Sequence, residues 1–164
     1  MPDERVTSLA SAWKPRPAGP LHVFLRQHIA RTRVAALSAV RLPACFARVR
    51  AADLRDAARQ SARLRAEAGA EGCTVFVDIE VLIDGDARTA MRAAEQLGQT
   101  SSAFDAALRY VGTPRGLAGF IADVHTLGIA DGVTLLPLRA ADNADRIIND
   151  VLPTLGLDIA RLSA

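Results

Sequence analysis

Asp78 and Glu80 are the first residues in this chain whose types and spacing suggest chemistry. They stand two apart within Cys73 to Ile83, an apolar run rich in Val and Ile that reads as a strand, so both carboxylates face one side of it. Two carboxylates so placed could move protons as general acid and base. They could equally be the polar side of a sheet whose covering layer is missing. His28 is the third catalytic candidate. It lies where a strand-like segment, Leu21 to Leu25, gives way to a helical pattern, and its plainer reading is a solvated loop histidine. His22 begins that strand and reads as a surface residue. His125 falls toward the polar flank of a helix, and Asp131 before Gly132 reads as turn chemistry. No Ser-His-Asp set, Walker loop or metal motif is present. Cys45 and Cys73 are the only cysteines, too few for a zinc site and not in a CxxC pair. Their apolar surroundings make them buried free thiols, a usage that suits a reducing cytoplasm.

The elements that must position these residues can be read from punctuation and periodicity. Lys14 to Pro20 holds three prolines and closes an entry arm over residues 1–20. Strands are predicted at 21–25, 44–49, 73–83 and 132–138. A helix is predicted over Ala30 to Val40 from the spacing of Val34, Leu37 and Val40. Asp53 caps a long helix ending near Ala68, with Gly69 and Gly72 as its terminators. Asp84-Gly85-Asp86 turns the chain into a helix over 87–97, and residues 98–102 form a polar loop. Thr113 and Pro114 open another helix, because Thr caps orphan amides and Pro at the first position has no N–H to waste. Leu117, Phe120, Ile121, Val124 and Leu127 make its apolar face. A last helix runs from about Asp142 to Leu155. This alternation argues for a parallel sheet with helices packed against it.

Composition narrows the function. The chain has 164 residues, half of them hydrophobic, which suits one domain with a real core. Aromatics are 4% and net charge is +2, with arginines scattered among acids, so neither a stacking platform nor a basic stripe for nucleic acid is visible. No stretch approaches the ~18 to 20 apolar residues of a membrane span, and Met1 to Arg5 lacks the pattern of a signal peptide. A soluble cytoplasmic protein without nucleic-acid or membrane partners is expected.

Three linked stretches carry a family likeness. Tyr110-Val111-Gly112-Thr113-Pro114 leads into a helix. Gly128-Ile129-Ala130-Asp131-Gly132-Val133-Thr134-Leu135-Leu136-Pro137 follows, and then Asp150-Val151-Leu152-Pro153-Thr154-Leu155. Their order and spacing resemble the closing signature of bacterial-luciferase-like flavin-dependent monooxygenases, most clearly the alkanesulfonate and nitrilotriacetate monooxygenase branches. Walked backwards, the resemblance covers roughly residues 20 to 157 and corresponds to the last four of that family's eight barrel strands.

The resemblance implies an α/β fold: a partial, half TIM-like β/α barrel of about four parallel strands with helices outside, spanning residues 21–164. It implies an oxidoreductase that uses reduced flavin and O₂ on a small organic substrate, with FMN or a deazaflavin as cofactor and a separate flavin reductase as possible partner. His28 would then lie on the face where such barrels place their sites. The family's flavin phosphate is held by a Gly- and Ser-containing loop that opens a helix, where free amides and the dipole favour an anion. Here the corresponding residues are Arg26-Gln27-His28-Ile29-Ala30-Arg31. They contain no glycine but supply the charges of Arg26 and Arg31, with Arg33 beyond. A non-catalytic half-barrel subunit or interaction module is the alternative function. Either way, open sheet edges at strands 21–25 and 132–138 predict a homodimer, unless the arm with Val6, Leu9 and Trp13 folds over the exposed face.

Overall fold

The structure is a computed structural model that describes residues 19–27, 33–36, 45–98 and 107–157. Its sheet holds β1 (His22–Gln27), β2 (Arg33–Ala36), β3 (Phe46–Val49), β4 (Thr74–Ile83), β5 (Leu108–Gly112) and β6 (Gly132–Pro137). Between them run α1 (Leu54–Ala68), α2 (Ala87–Gly98) and α3 (Pro114–Thr126). The last helical stretch is α4 (Ala140–Arg146), continued by a π-type turn at Ile147–Val151 and a final turn at Leu152–Thr154. The caps are those expected: Asp53 accepts from the Asp56 amide and Thr113 from the Gly116 amide.

β4 organises the sheet. Of its ten residues only Thr74 is not fully buried, which is the signature of a strand covered on both faces. Along one edge Phe76–Val81 pairs in parallel with β6. Along the other, Thr74–Val77 pairs with β3 and Ile79–Ile83 with β5. The far edge of β6 is taken by β1, again parallel, with His22 opposite Gly132 and Leu25 opposite Leu135. The order is therefore β2-β1-β6-β4-β3, with β5 beside β4. β3, β4 and β6 advance in chain order, and β1 returns to lie against the last of them. That is how a closed barrel seals its last strand with its first.

Two expectations are corrected here. Residues 33–36 are not helical: they form β2, antiparallel to β1, with Gln27 opposite Arg33 and Phe24 opposite Ala36. The spacing of Val34, Leu37 and Val40 fits a helix, but Arg33-Val34-Ala35-Ala36 also suits a strand once a neighbour offers its edge. The other residues of that predicted helix lie outside the described residues. Secondly, the 132–138 strand has no open edge on this side, because β1 occupies it. β5 was not expected at all. The sheet otherwise bears out the α/β reading, with five parallel strands among those described rather than four.

Odd-numbered β4 residues (Val75, Val77, Ile79, Val81, Ile83) join Val23, Leu25, Val133 and Leu135 in the main core. α1 reaches it through Ala57, α3 through Leu117, Ile121 and Val124, and the final helical stretch through Ile147, Val151 and Leu152. The opposite face of the sheet has a small core of its own, Phe24 packed edge-to-face on Phe76 with ring centroids 4.9 Å apart.

Asp131 and Gly132, read as a turn, fasten three elements. The Asp131 carboxylate accepts the Val75 amide at 2.8 Å and the Arg65 guanidinium at 3.1 Å, while its carbonyl accepts the His22 amide. Gly132 lies so close between β1 and β4 that a Cβ would strike the His22 carbonyl and come within 2.7 Å of the Phe76 ring.

Candidate functional site

Strand periodicity places the candidate chemistry on the face opposite the main core. Side chains alternate along each strand. β1 therefore presents His22, Phe24 and Arg26 there, β3 presents Phe46 and Arg48 with Arg50 just beyond, and β4 presents Phe76, Asp78 and Glu80. β5 adds Arg109 and β6 adds Thr134. Asp78 and Glu80 do share one side, as their spacing predicted, and both are almost fully buried.

Neither carboxylate is free. Arg48 donates to both oxygens of Asp78 through Nε and Nη2 at 2.7–3.0 Å, a fork that fixes the carboxylate in place. Glu80 accepts from Arg50 at 3.0 Å and from Arg109 at 3.1 Å. Arg109 stands directly opposite Glu80 in the ladder, whereas Arg48 and Arg50 each reach diagonally along β4. Each carboxylate is thus held in place by guanidinium donors. The ladder is a clamp that holds β3 and β5 to β4.

The three arginines escaped the sequence reading. Phe46-Ala47-Arg48-Val49-Arg50 carries a visible signal, two cations at strand period, which complements Asp78 and Glu80 two apart. Arg109 has no comparable local signal, because its strand owes its place to pairing with β4.

Of the residues expected to hold a flavin phosphate, Arg26 is half-buried near the C-terminal end of β1 and Gln27 ends that strand. His28 and Arg31 lie outside the described residues. One step beyond the Leu25–Leu135–Ile79 rung, Arg26 sits level with Glu80 two strands away, roughly 10 Å by strand spacing. The next described element after β1 is its hairpin partner β2, so no helix N-terminus stands at 33–36 to present amides to an anion.

His22 is buried rather than on the surface, with its ring edge-on to Phe76 at 5.8 Å. Burial holds its pKa below the usual histidine value of 6.5, and the charge of His125 adds to this while Asp131 opposes it. The His125 ring contacts the Gly19 carbonyl at 2.9 Å. The cysteines also part from their shared reading: Cys73 is buried as expected, but Cys45 is exposed.

At the C-terminal ends of β4 and β5 an open cleft of about 540 Å³ lies between the start of α3 and the π-type turn. Gly85, Thr113, Arg115, Arg146 and Asp150 line it. Arg146 is tied to Asp84 at 3.2 Å. Gly112 and Gly116 leave room for the Tyr110 hydroxyl against the first turn of α3, which accounts for the glycines flanking Thr113-Pro114. Among the described residues no cluster of His, Cys, Asp and Glu suited to a metal is present.

No family model and no curated protein matches the sequence. Solved structures do match in fold. EDTA monooxygenase from Chelativorans sp. BNC1 superposes with a TM-score of 0.51 at 17% identity, over 68% of this chain and 39% of that one. Riboflavin lyase, solved with modified FMN and its substrate riboflavin, superposes with a TM-score of 0.58 at 16% identity, over 73% of this chain and 40% of that one. What is shared is the fold, a parallel sheet with helices packed around it, in agreement with the α/β half-barrel expected from the sequence. The chain spans about two fifths of the length of each of these neighbours.

Proposed function

We propose that this chain is a relative of the luciferase-like flavin-dependent monooxygenases, an oxidoreductase component that acts with reduced flavin and O₂ on a small organic substrate. The observation that carries the reading is the sheet itself. β3, β4 and β6 run in chain order and β1 seals the last strand, so the C-terminal strand ends gather at one pole, where β/α barrels build their sites. The fold likeness to two enzymes, one named a monooxygenase and one solved with modified FMN, supports it.

The proposed cofactor is FMN or a deazaflavin, with its phosphate near Arg26, Gln27, His28 and Arg31. Of these, Arg26 and Gln27 are described, and Arg26 brings positive charge to the C-terminal end of β1. No chemical step is assigned to the cofactor. What this chain supplies is a rigid sheet face and positive charge at the strand ends. The proposed partners are a second copy of this chain and a separate flavin reductase, and the proposed setting is the cytoplasm. Among the described residues no helix is long and apolar enough to cross a membrane.

FMN titration of the wild-type chain and of the Arg26→Ala/Arg31→Ala variant tests the reading. Saturable binding weakened roughly tenfold or more in the variant is expected for loss of two charge-assisted contacts. Unchanged affinity would remove the phosphate site.

One observation favours a second reading, a non-catalytic half-barrel module. Asp78 and Glu80 are committed to arginines, which is the arrangement of a structural face. Absence of FMN binding by the wild-type chain would favour it.

A further inference from the structure

We propose that Cys45 and Cys73 are a reversible thiol–disulfide pair that locks β3 to β4. The geometry comes from strand register. Phe46 stands opposite Thr74 in the parallel β3–β4 ladder, so one step back Cys45 stands opposite Cys73. The Thr74 amide donates to the Cys45 carbonyl at 3.3 Å, which continues the ladder to that step. Neighbouring strands lie about 4.8 Å apart, inside the ~4.4–6.8 Å Cα range that a disulfide bridges. Both cysteines hold odd-numbered positions, on the side of the sheet that Ala47, Val75 and Cys73 give to the main core.

The two thiols differ in access, as an entry and a resolving thiol must. Cys45 is exposed and Cys73 is 7% exposed. Burial first, and then the neighbouring Cys45, push the Cys73 thiol above its ordinary range. The partner reagent is a low-molecular-weight disulfide, RSSR. The Cys45 thiolate attacks one of its sulfurs, the reagent S–S bond breaks, and RS⁻ leaves and takes up the proton that Cys45 gave up. Cys73 then loses its proton and attacks the Cys45 sulfur. The mixed disulfide breaks and a second RSH departs. Two protein thiols are oxidised to one disulfide and one RSSR is reduced to two RSH.

The lock closes the β3–α1–β4 unit on itself. Among the described residues β3 pairs only with β4, so the cross-link holds an edge strand that has one neighbour. It sits at the N-terminal end of the strands, near the Arg65–Asp131 pair and opposite the pole assigned to the cofactor. Its effect is therefore on stability.

The test is to treat the reduced native chain with excess glutathione disulfide and map tryptic peptides without reductant. The expected product links peptide 42–48 to peptide 66–88, with the loss of two hydrogens and of both free thiols. Its melting temperature rises and dithiothreitol reverses the change. A Cys73→Ser variant should instead stop with glutathione on Cys45. Wild-type chain that keeps glutathione on Cys45 while Cys73 stays free would overturn the proposal. So would a chain-to-chain disulfide, or no reaction at either thiol. The wild-type peptide map decides the matter even if the variant does not fold.

Discussion

Asp78 receives three guanidinium contacts from Arg48, and its side chain is only 9% exposed, against 35% for Arg48. Removing the acid leaves a partly buried cation without its counter-charge. A fully buried pair broken this way loses about 3–5 kcal/mol, and the exposure of Arg48 reduces the expectation for Asp78→Ala to about 1–3 kcal/mol. Urea unfolding measures it, and a double-mutant cycle with Arg48→Met should show most of the loss as coupling between the two. His22 gives a pH prediction. Its folded-state pKa lies below the unfolded value, so the unfolded chain takes up the proton first as pH falls. Stability is full above about pH 6.5 and is lost as pH drops from there toward the folded value. Thermal melts from about pH 7.5 down to about pH 5.5 should fall for wild type and fall less for His22→Gln. Parallel curves would count against a buried neutral His22. The shared side of Asp78 and Glu80 was legible because strand period is local. What the carboxylates do there was not, because the arginines that claim them come from other strands.

At the scale of elements, caps and terminators were readable to within a residue or two. Asp53, Thr113-Pro114 and Gly69 mark helix ends through groups that act on their own neighbours. Thr113→Ala should cost about 1 kcal/mol by orphaning the Gly116 amide. Gly132→Ala should cost more, about 1–3 kcal/mol or beyond, since the added methyl meets the His22 backbone, which cannot rotate away. Chemical denaturation of the two variants ranks them, and the reverse order would contradict the close approach of β1 and β4 at Gly132. Sheet order was less legible than helix ends. Val23 and Leu25 announce a strand, but nothing local says that its neighbour is β6 rather than β3. β2 was misread for a related reason: a short segment with two alanines and a valine takes its conformation from the strand edge beside it.

Among the described residues the sheet is a barrel-like arc with helices packed against one face. Among the described residues, pairing of β1 with β6 moves the ends of the sheet to β2 on one side and to β3 and β5 on the other, and Phe46 on β3 is half exposed at 50%. An edge strand with an exposed aromatic invites a second strand. Light scattering should give a mass near twice 17.4 kDa, and a mass that stays at the single-chain value at high concentration would contradict the dimer. Hydrogen exchange with and without FMN tests the proposed binding of flavin at the C-terminal pole of this sheet. Slower exchange is expected near Arg26–Gln27, near Asp84–Gly85 and after Pro137, with His22, Cys73 and Gly132 at the other end unchanged. Exchange that FMN leaves unaltered, or protection at the N-terminal strand ends instead, would contradict it.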